Sequence, residues 1–216
     1  MIVDSKRIRV LCYGDSNTWA RDPVLLKRHD IDVRWPGTLQ RLLGHNYDVI
    51  EEGLGGRTVN QDDATKPGKN GKTYFTPCLE SHVPLNIIII MLGTNDLKNQ
   101  FTSTPESITE GLSGLIDDTY AVFDKNEDER PRIIMLSPVH INSDNPEFMR
   151  IYGHAYDKDC GEKSRLLADP IRTMCEARGV EFLDAQDYAD AGEDGLHLSA
   201  DSHQSLAMKL AEVITT

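Results

Sequence analysis

Apolar positions along this chain follow two alternating patterns. In the first, short runs rich in Val, Ile, Leu and Met stop at a polar or glycine turn. Ile8, Val10 and Cys12 alternate before Gly14-Asp15-Ser16-Asn17. Residues 48–52 (DVIEE) run into Gly53-Leu54-Gly55-Gly56-Arg57-Thr58, and the continuous run IIIIML into Gly93-Thr94-Asn95-Asp96. Residues 132–137 (RIIMLS) are closed by Pro138, and residues 180–184 form a fifth short run. Such runs, bounded by turn residues, predict five strands. The unbroken β-branched run predicts a central parallel strand buried on both faces.

The second pattern has helical spacing. Leu39, Leu42 and Leu43 predict a short helix after Trp35-Pro36, stopped by Gly44. Thr104-Pro105-Glu106 reads as a helix start, continued by Ile108, Leu112, Leu115, Ile116 and Tyr120. A further helix carries Leu166, Leu167, Ile171, Met174 and Cys175 up to Gly179, with Pro170 as a candidate kink. Ser199 predicts the cap of a last helix bearing Leu206, Leu210 and Val213. Residues 20–34, 60–84 and 142–160 show neither period and read as loops; residues 124–130 (DKNEDER) are a solvated charge run. Strands alternating with helices predict an α/β fold, a parallel sheet covered on both faces, in a single domain spanning residues 1–216.

Composition narrows the function. At 39% apolar and 27% charged residues, the chain has the balance of a globular protein rather than a disordered one. No apolar run approaches the roughly 18 residues of a membrane span. The first ten residues carry charges where a signal peptide needs an apolar stretch, so a cytoplasmic location is expected. The four cysteines are scattered and read as free structural thiols. A net charge of −12 without a basic cluster disfavours a nucleic-acid partner and argues against strongly anionic substrates.

Three chemical motifs are only partial. Gly71-Lys72-Thr73 ends like a phosphate-binding loop, but Lys66 stands where the leading glycine belongs. After Gly53 and Gly55, the third glycine of a dinucleotide fingerprint would fall at Thr58. The seven histidines show no metal-ligand spacing, so no metal and no cofactor are expected. A stronger constellation is spread over the strand ends, where open α/β sheets bind ligands. Acyl transfer needs a nucleophile, a base, a group to orient that base, and donors for the developing oxyanion. Ser16 follows the first strand, Gly56 the second, Asn95 the third, and Asp194 and His197 the fifth. Each has a plain structural alternative. Ser16 or Asp194 can cap a turn, and Gly56 or Asn95 can shape one.

Gly14-Asp15-Ser16, Gly-Gly-Arg-Thr at 55–58, Gly93-Thr94-Asn95-Asp96 and Asp194-Gly195-Leu196-His197 resemble the four blocks of the SGNH, or GDSL, hydrolases, in that family's order. DVRWPGTLQ, VIEEGLGGRT and IIIIMLGTND are similar to its arylesterase branch. The resemblance implies a flavodoxin-like three-layer α/β/α sandwich with a five-stranded parallel sheet. It implies a serine esterase of short acyl esters, with acyl transfer as a companion activity and a homo-oligomeric state. It makes Ser16 the nucleophile, His197 the general base and Asp194 its orienting acid. The oxyanion hole would comprise Ser16, Gly56 and Asn95, and Asp15 and Asp96 would hold their turns.

Two departures stand out. Asn17 occupies a place where Leu is common, which predicts a more polar acyl pocket, and the segment after Trp19 is shorter than in the arylesterase branch. Trp19 and Trp35 are candidates for the pocket wall or for the core, and Lys98 for the mouth of the site or for solvent. Acetylated sugars are the alternative substrates. A flavodoxin-like binding protein without turnover is the alternative of another class.

Overall fold

Alternate residues of the first strand point to opposite faces, and both faces are apolar: Val10 and Cys12 on one side, Leu11 and Tyr13 on the other, all fully buried. A strand of that kind must be covered twice. The computed structural model describes residues 7–216. The charged stretch at residues 1–6, which enters the expectation about a signal peptide, lies outside the described residues.

Strands β1 (Ile8–Gly14), β2 (Tyr47–Gly53), β3 (Ile87–Met91), β4 (Arg132–Ser137) and β5 (Glu181–Asp184) form one parallel sheet in the order β2-β1-β3-β4-β5. Helices α2 (Trp35–Leu43) and α8 (Ala200–Thr215) cover one face, packing Trp35, Leu39, Leu206 and Leu210 on Val10, Ile89 and Leu136. Helices α3 (Gly71–His82), α4 (Pro105–Lys125) and α7 (Ala168–Arg178) cover the other through Phe75, Leu79, Leu112, Ile116 and Ile171. This is the expected three-layer α/β/α sandwich. The chain runs outward from β1 to β2 and then returns to β3 on the far side of β1. The loops leaving β1 and β3 therefore diverge and open a crevice at the carboxyl edge.

Caps follow the sequence signals closely. Thr104 and Ser107 exchange side-chain-to-backbone bonds in a capping box with Pro105 at the first helical position, and Ser199 accepts from Ser202 N at the start of α8. Other expectations need correction. Residues 60–84 are not all loop, because α3 occupies their second half. Asn70 caps it, and Phe75, Cys78 and Leu79 fix its buried face although Pro77 removes one interior hydrogen bond. Residues 142–160 hold the short helix α5 (Pro146–Tyr152), capped by Asn145. The helix expected through Leu166 is two helices, α6 (Cys160–Arg165) and α7. Pro170 lies in the first turn of α7, where a backbone N–H has no helical acceptor, so it produces no kink there. Leu166, in the break between them, is 56% exposed.

Cys12, Cys78, Cys160 and Cys175 are free and buried. Burial pushes the Cys160 and Cys175 thiols up to about 11, away from the thiolate form that reacts. Among the described residues no helix is long and apolar enough to cross a membrane.

Candidate active site

Gly14 ends β1 where space runs out: a Cβ there would lie 2.0 Å from Thr18 Oγ1 and 2.8 Å from the Met91 carbonyl. Only glycine lets the chain turn so tightly against β3. Asp15, rather than Ser16, then caps the single-turn helix α1 (Ser16–Trp19), its Oδ1 accepting from Asn17 N at 2.9 Å. The Ser16 side chain is left free of capping. Its Oγ lies 2.9 Å from His197 Nε2, across 181 residues of sequence.

The imidazole is held from behind. His197 Nδ1 lies 2.6 Å from Asp194 Oδ2, and Asp194 Oδ1 accepts from the backbone N–H groups of Leu196 (2.9 Å) and His197 (2.8 Å). Burial pushes the Asp194 carboxyl up, but bonding to His197, its nearby charge and the two backbone donors outweigh burial and hold it below the ordinary carboxylate value. Ser16, Asp194 and His197 are all buried, with only Ser16 reaching 8% exposure. The hydroxyl, the imidazole and the carboxylate stand in one hydrogen-bonded line, the arrangement that a nucleophile, a base and an orienting acid require.

Gly56, in the turn after β2, has φ +81°, a conformation that suits glycine, and lies on the wall of the same cleft. Asn95 lies in the tight turn Thr94–Leu97 after β3. Its Nδ2 donates to Asp15 Oδ2 (3.2 Å) and to the Arg57 carbonyl (3.1 Å), and the Tyr156 hydroxyl approaches its Oδ1 at 3.5 Å. Asp96 accepts from Val59 N with both oxygens at 3.0 Å, and burial pushes its carboxyl up to about 7. Buried Arg57 donates to the Gly14 and Glu52 carbonyls and lies over the Tyr13 ring, tying the ends of β1 and β2.

The cleft above Ser16 has a volume of about 350 Å³ and is walled by Gly56, Asn95, Lys98, Tyr152, Leu196 and His197 among others. A larger cavity of about 620 Å³, between α3 and α4, contains no nucleophile and base pair. Lys98 thus lines the mouth of the site. Trp35 does not: it opens α2 with its indole fully buried in the core against α8. Trp19 is half-buried beside the Arg28 guanidinium, outside the cleft.

Asn17 is also misplaced by the sequence reading, and more instructively. Its side chain does not face the acyl pocket. It donates from Nδ2 to the Leu196 carbonyl (3.3 Å) and accepts at Oδ1 from Leu198 N (2.9 Å), straddling His197. Asn17 therefore joins the helix of Ser16 to the loop of His197. Asn17→Leu keeps the volume but orphans two buried backbone groups, costing about 1–3 kcal/mol for each. A base displaced by a fraction of an ångström is expected to lower kcat by roughly 10- to 100-fold while KM changes little. Steady-state kinetics beside a urea melt would check this split; a change in stability alone would reduce Asn17 to a structural tie.

Sequence reasoning missed Tyr152, whose hydroxyl donates to Asp194 Oδ2 at 2.8 Å and lies 3.3 Å from His197 Nδ1. The available signal was the i, i+4 pair Tyr152 and Tyr156 within a stretch read as loop. The fold also brings Glu52, Cys78 and His82 within 4.8 Å of one another, though their sequence spacing shows no metal motif. His82 is already paired with Glu52 at 3.0 Å. Burial first, then Glu52, pushes the Cys78 thiol up to about 12 against the opposing charge of Arg57.

A fold with its strand-end turns converging on such a line defines a class of hydrolase, and comparison gives it a family. Residues 12–205 match the model of the GDSL-like lipase/acylhydrolase family. No curated protein sequence matches the chain. Among solved structures, the M. smegmatis aryl esterase is 36% identical with a TM-score of 0.87, the match covering 96% of this chain and 98% of that one. A carbohydrate acetylesterase from Sinorhizobium meliloti is 34% identical with a TM-score of 0.87, covering 97% and 99%. A putative arylesterase from Agrobacterium tumefaciens str. C58 is 31% identical with a TM-score of 0.85, covering 96% and 98%. The chain belongs to the GDSL-like lipase/acylhydrolase, or SGNH, family and is a serine esterase. The alternative of a binding protein without turnover gives way to that membership.

Proposed function

We propose that this esterase cleaves short acyl esters, acetyl esters foremost, through an acyl-enzyme on Ser16. The observation that carries the reading is the line Ser16 Oγ–His197 Nε2–Asp194, at 2.9 and 2.6 Å. With Nδ1–H donated to Asp194, Nε2 accepts the Ser16 proton as Oγ attacks the carbonyl carbon. The tetrahedral oxyanion is received by the backbone N–H of Ser16, the backbone N–H of Gly56 and the Asn95 amide. Asn95 meets it by exchanging its bond to the Arg57 carbonyl, a neutral acceptor, for one to the charged oxygen. The imidazolium then protonates the departing alcohol. Water, or an acceptor alcohol, gives its proton to His197 and attacks the acyl-enzyme, releasing the acyl product and Ser16. Acyl transfer, homo-oligomeric assembly and a cytoplasmic setting belong to the same proposal, on the strength of the family resemblance and the composition.

The cleft's modest volume supports a small acyl group. Initial rates on p-nitrophenyl acetate, butyrate and octanoate are expected to fall with chain length. A maximum at octanoate would sink the short-acyl reading. Sugar acetates are the second reading, favoured by hydroxyl-binding groups beside the site, Arg21, Tyr152 and His154, and by the similarity to an acetylesterase of carbohydrates. Activity on acetylated xylose without activity on phenyl acetate would decide for it.

A further inference from the structure

The charge of the cleft is opposite to that of the chain. Although the protein carries a net −12, the walls above Ser16 present Arg21, Lys66, Lys69 and Lys98, and none of the described residues lining the cleft is a carboxylate. Elsewhere basic side chains are commonly ion-paired: Arg34 with Glu51, Arg132 with Glu181, Lys163 with Asp157. Among the described residues, these four have no carboxylate partner within salt-bridge distance.

Lys98 is the most telling of them. It is only 8% exposed, yet its ammonium lies on the cleft wall, 4.0 Å from where a Cβ on Gly56 would stand. The Lys69 stem closes on the same point at 3.9 Å. Burial and then the nearby charge of Lys66 hold Lys98 below the ordinary lysine value, so neighbouring cations make its situation worse rather than better. The carboxylates whose charge it feels are committed elsewhere. Asp63 is bonded to Thr65 and to Lys66 N, Asp96 to Val59 N, and Asp15 to Asn17 N and Asn95. The buried Arg21 Nε likewise has no hydrogen-bond partner. Burying an ammonium without a directly paired counter-charge costs stability, and such a cost is retained at sites that bind or react.

We propose that the preferred substrates are esters carrying an anionic group, a carboxylate, phosphate or sulfate, close to the scissile bond. Lys98 holds that group beside the Gly56 end of the oxyanion hole, and Lys66, Lys69 and Arg21 draw it in from the rim. The acidic surface elsewhere repels the same substrates, so the attraction is confined to the cleft. This inference rests on the esterase reading and names its substrate class. It also replaces the expectation, drawn from net charge, that anionic substrates are disfavoured.

The test uses two matched pairs. In p-nitrophenyl hemisuccinate against p-nitrophenyl valerate the anion is on the acyl side; in 4-acetoxybenzoate against its methyl ester it is on the alcohol side. After subtraction of the uncatalysed rate, which for the hemisuccinate includes attack by its own carboxylate, and correction for intrinsic reactivity towards hydroxide, kcat/KM is expected to favour the anionic member of at least one pair by about tenfold or more, the scale of one charge-assisted hydrogen bond. That ratio should shrink at high salt and fall towards unity in Lys98→Met. The double variant Lys66→Met/Lys69→Met, altered away from the core, should lower it as well. Lys125→Met, far from the cleft, should leave it unchanged.

The proposal alone would be overturned by turnover without charge preference in either pair, or by a preference that survives Lys98→Met. A Lys98→Met variant that slows both members of a pair equally would make Lys98 a general oxyanion stabiliser and would overturn it too. No turnover of any ester would overturn the esterase reading and this inference with it.

Discussion

Ser16→Ala is expected to lower kcat on p-nitrophenyl acetate by roughly 10⁶-fold, the loss seen when the nucleophile is removed from a serine–histidine pair elsewhere. The size of the effect follows from what the hydroxyl touches. Its hydrogen bond is to His197 Nε2, and it caps no helix, since Asp15 does that. Removing it deletes the attacking atom and little else. Thermal unfolding of the variant is therefore expected to stay close to wild type, which separates a chemical loss from a folding one. Incubation with a fluorophosphonate followed by intact-mass measurement should add one adduct to the wild type and none to the variant. Equal rates on the ester in both proteins would remove Ser16 as nucleophile.

Asp194→Asn should cost roughly 10⁴-fold in kcat, with KM nearly unchanged. The asparagine oxygen can still accept from Leu196 N and His197 N, so the loop keeps its shape. What changes is the atom facing His197 Nδ1, now an amide donor where a carboxylate accepted. The imidazole must then carry its proton on Nε2, pointing at Ser16, and it can no longer act as base. The pH dependence of stability gives a second readout. Because the folded carboxyl titrates below its unfolded value near 3.8, its contribution is complete above that pH and is lost as pH falls through the folded value. The Asn variant lacks that acid-labile contribution, so its stability should fall less steeply there. A kcat within tenfold of wild type would mean that Tyr152 and the backbone suffice to orient the base.

Much of this was open to a reader of the sequence alone. The β3 run could hardly be anything but a central strand, and the punctuation of glycine, proline and acid after each strand located the edge where chemistry gathers. The misses share a physical cause, which is that local pattern carries no information about what a distant segment will supply. Helix α3 is dominated by polar residues, with a proline inside it, and it forms because the sheet offers Phe75, Cys78 and Leu79 a surface. Asn17 stands where Leu is common, and that place alone points it to the acyl pocket. Its actual partners, Leu196 and Leu198, lie at the other end of the sequence. Trp35 faces α8, equally remote. Lys98 reads like any solvated lysine in the sequence, whereas the fold buries it on the cleft wall with no carboxylate within salt-bridge distance among the described residues.

The distance along the chain between Ser16 and His197 bears on how the protein is made. A polypeptide emerging from the ribosome displays Ser16 early and His197 only after 181 further residues, and Asn17 holds the loop of His197 in place only once Leu196 and Leu198 have arrived. Until then the Ser16 hydroxyl has no imidazole beside it. A product of translation that stops before Asp194 and His197 lacks both of the groups aligned on Ser16. The site is therefore assembled by folding from the two ends of the sequence, and no short segment of the chain carries it.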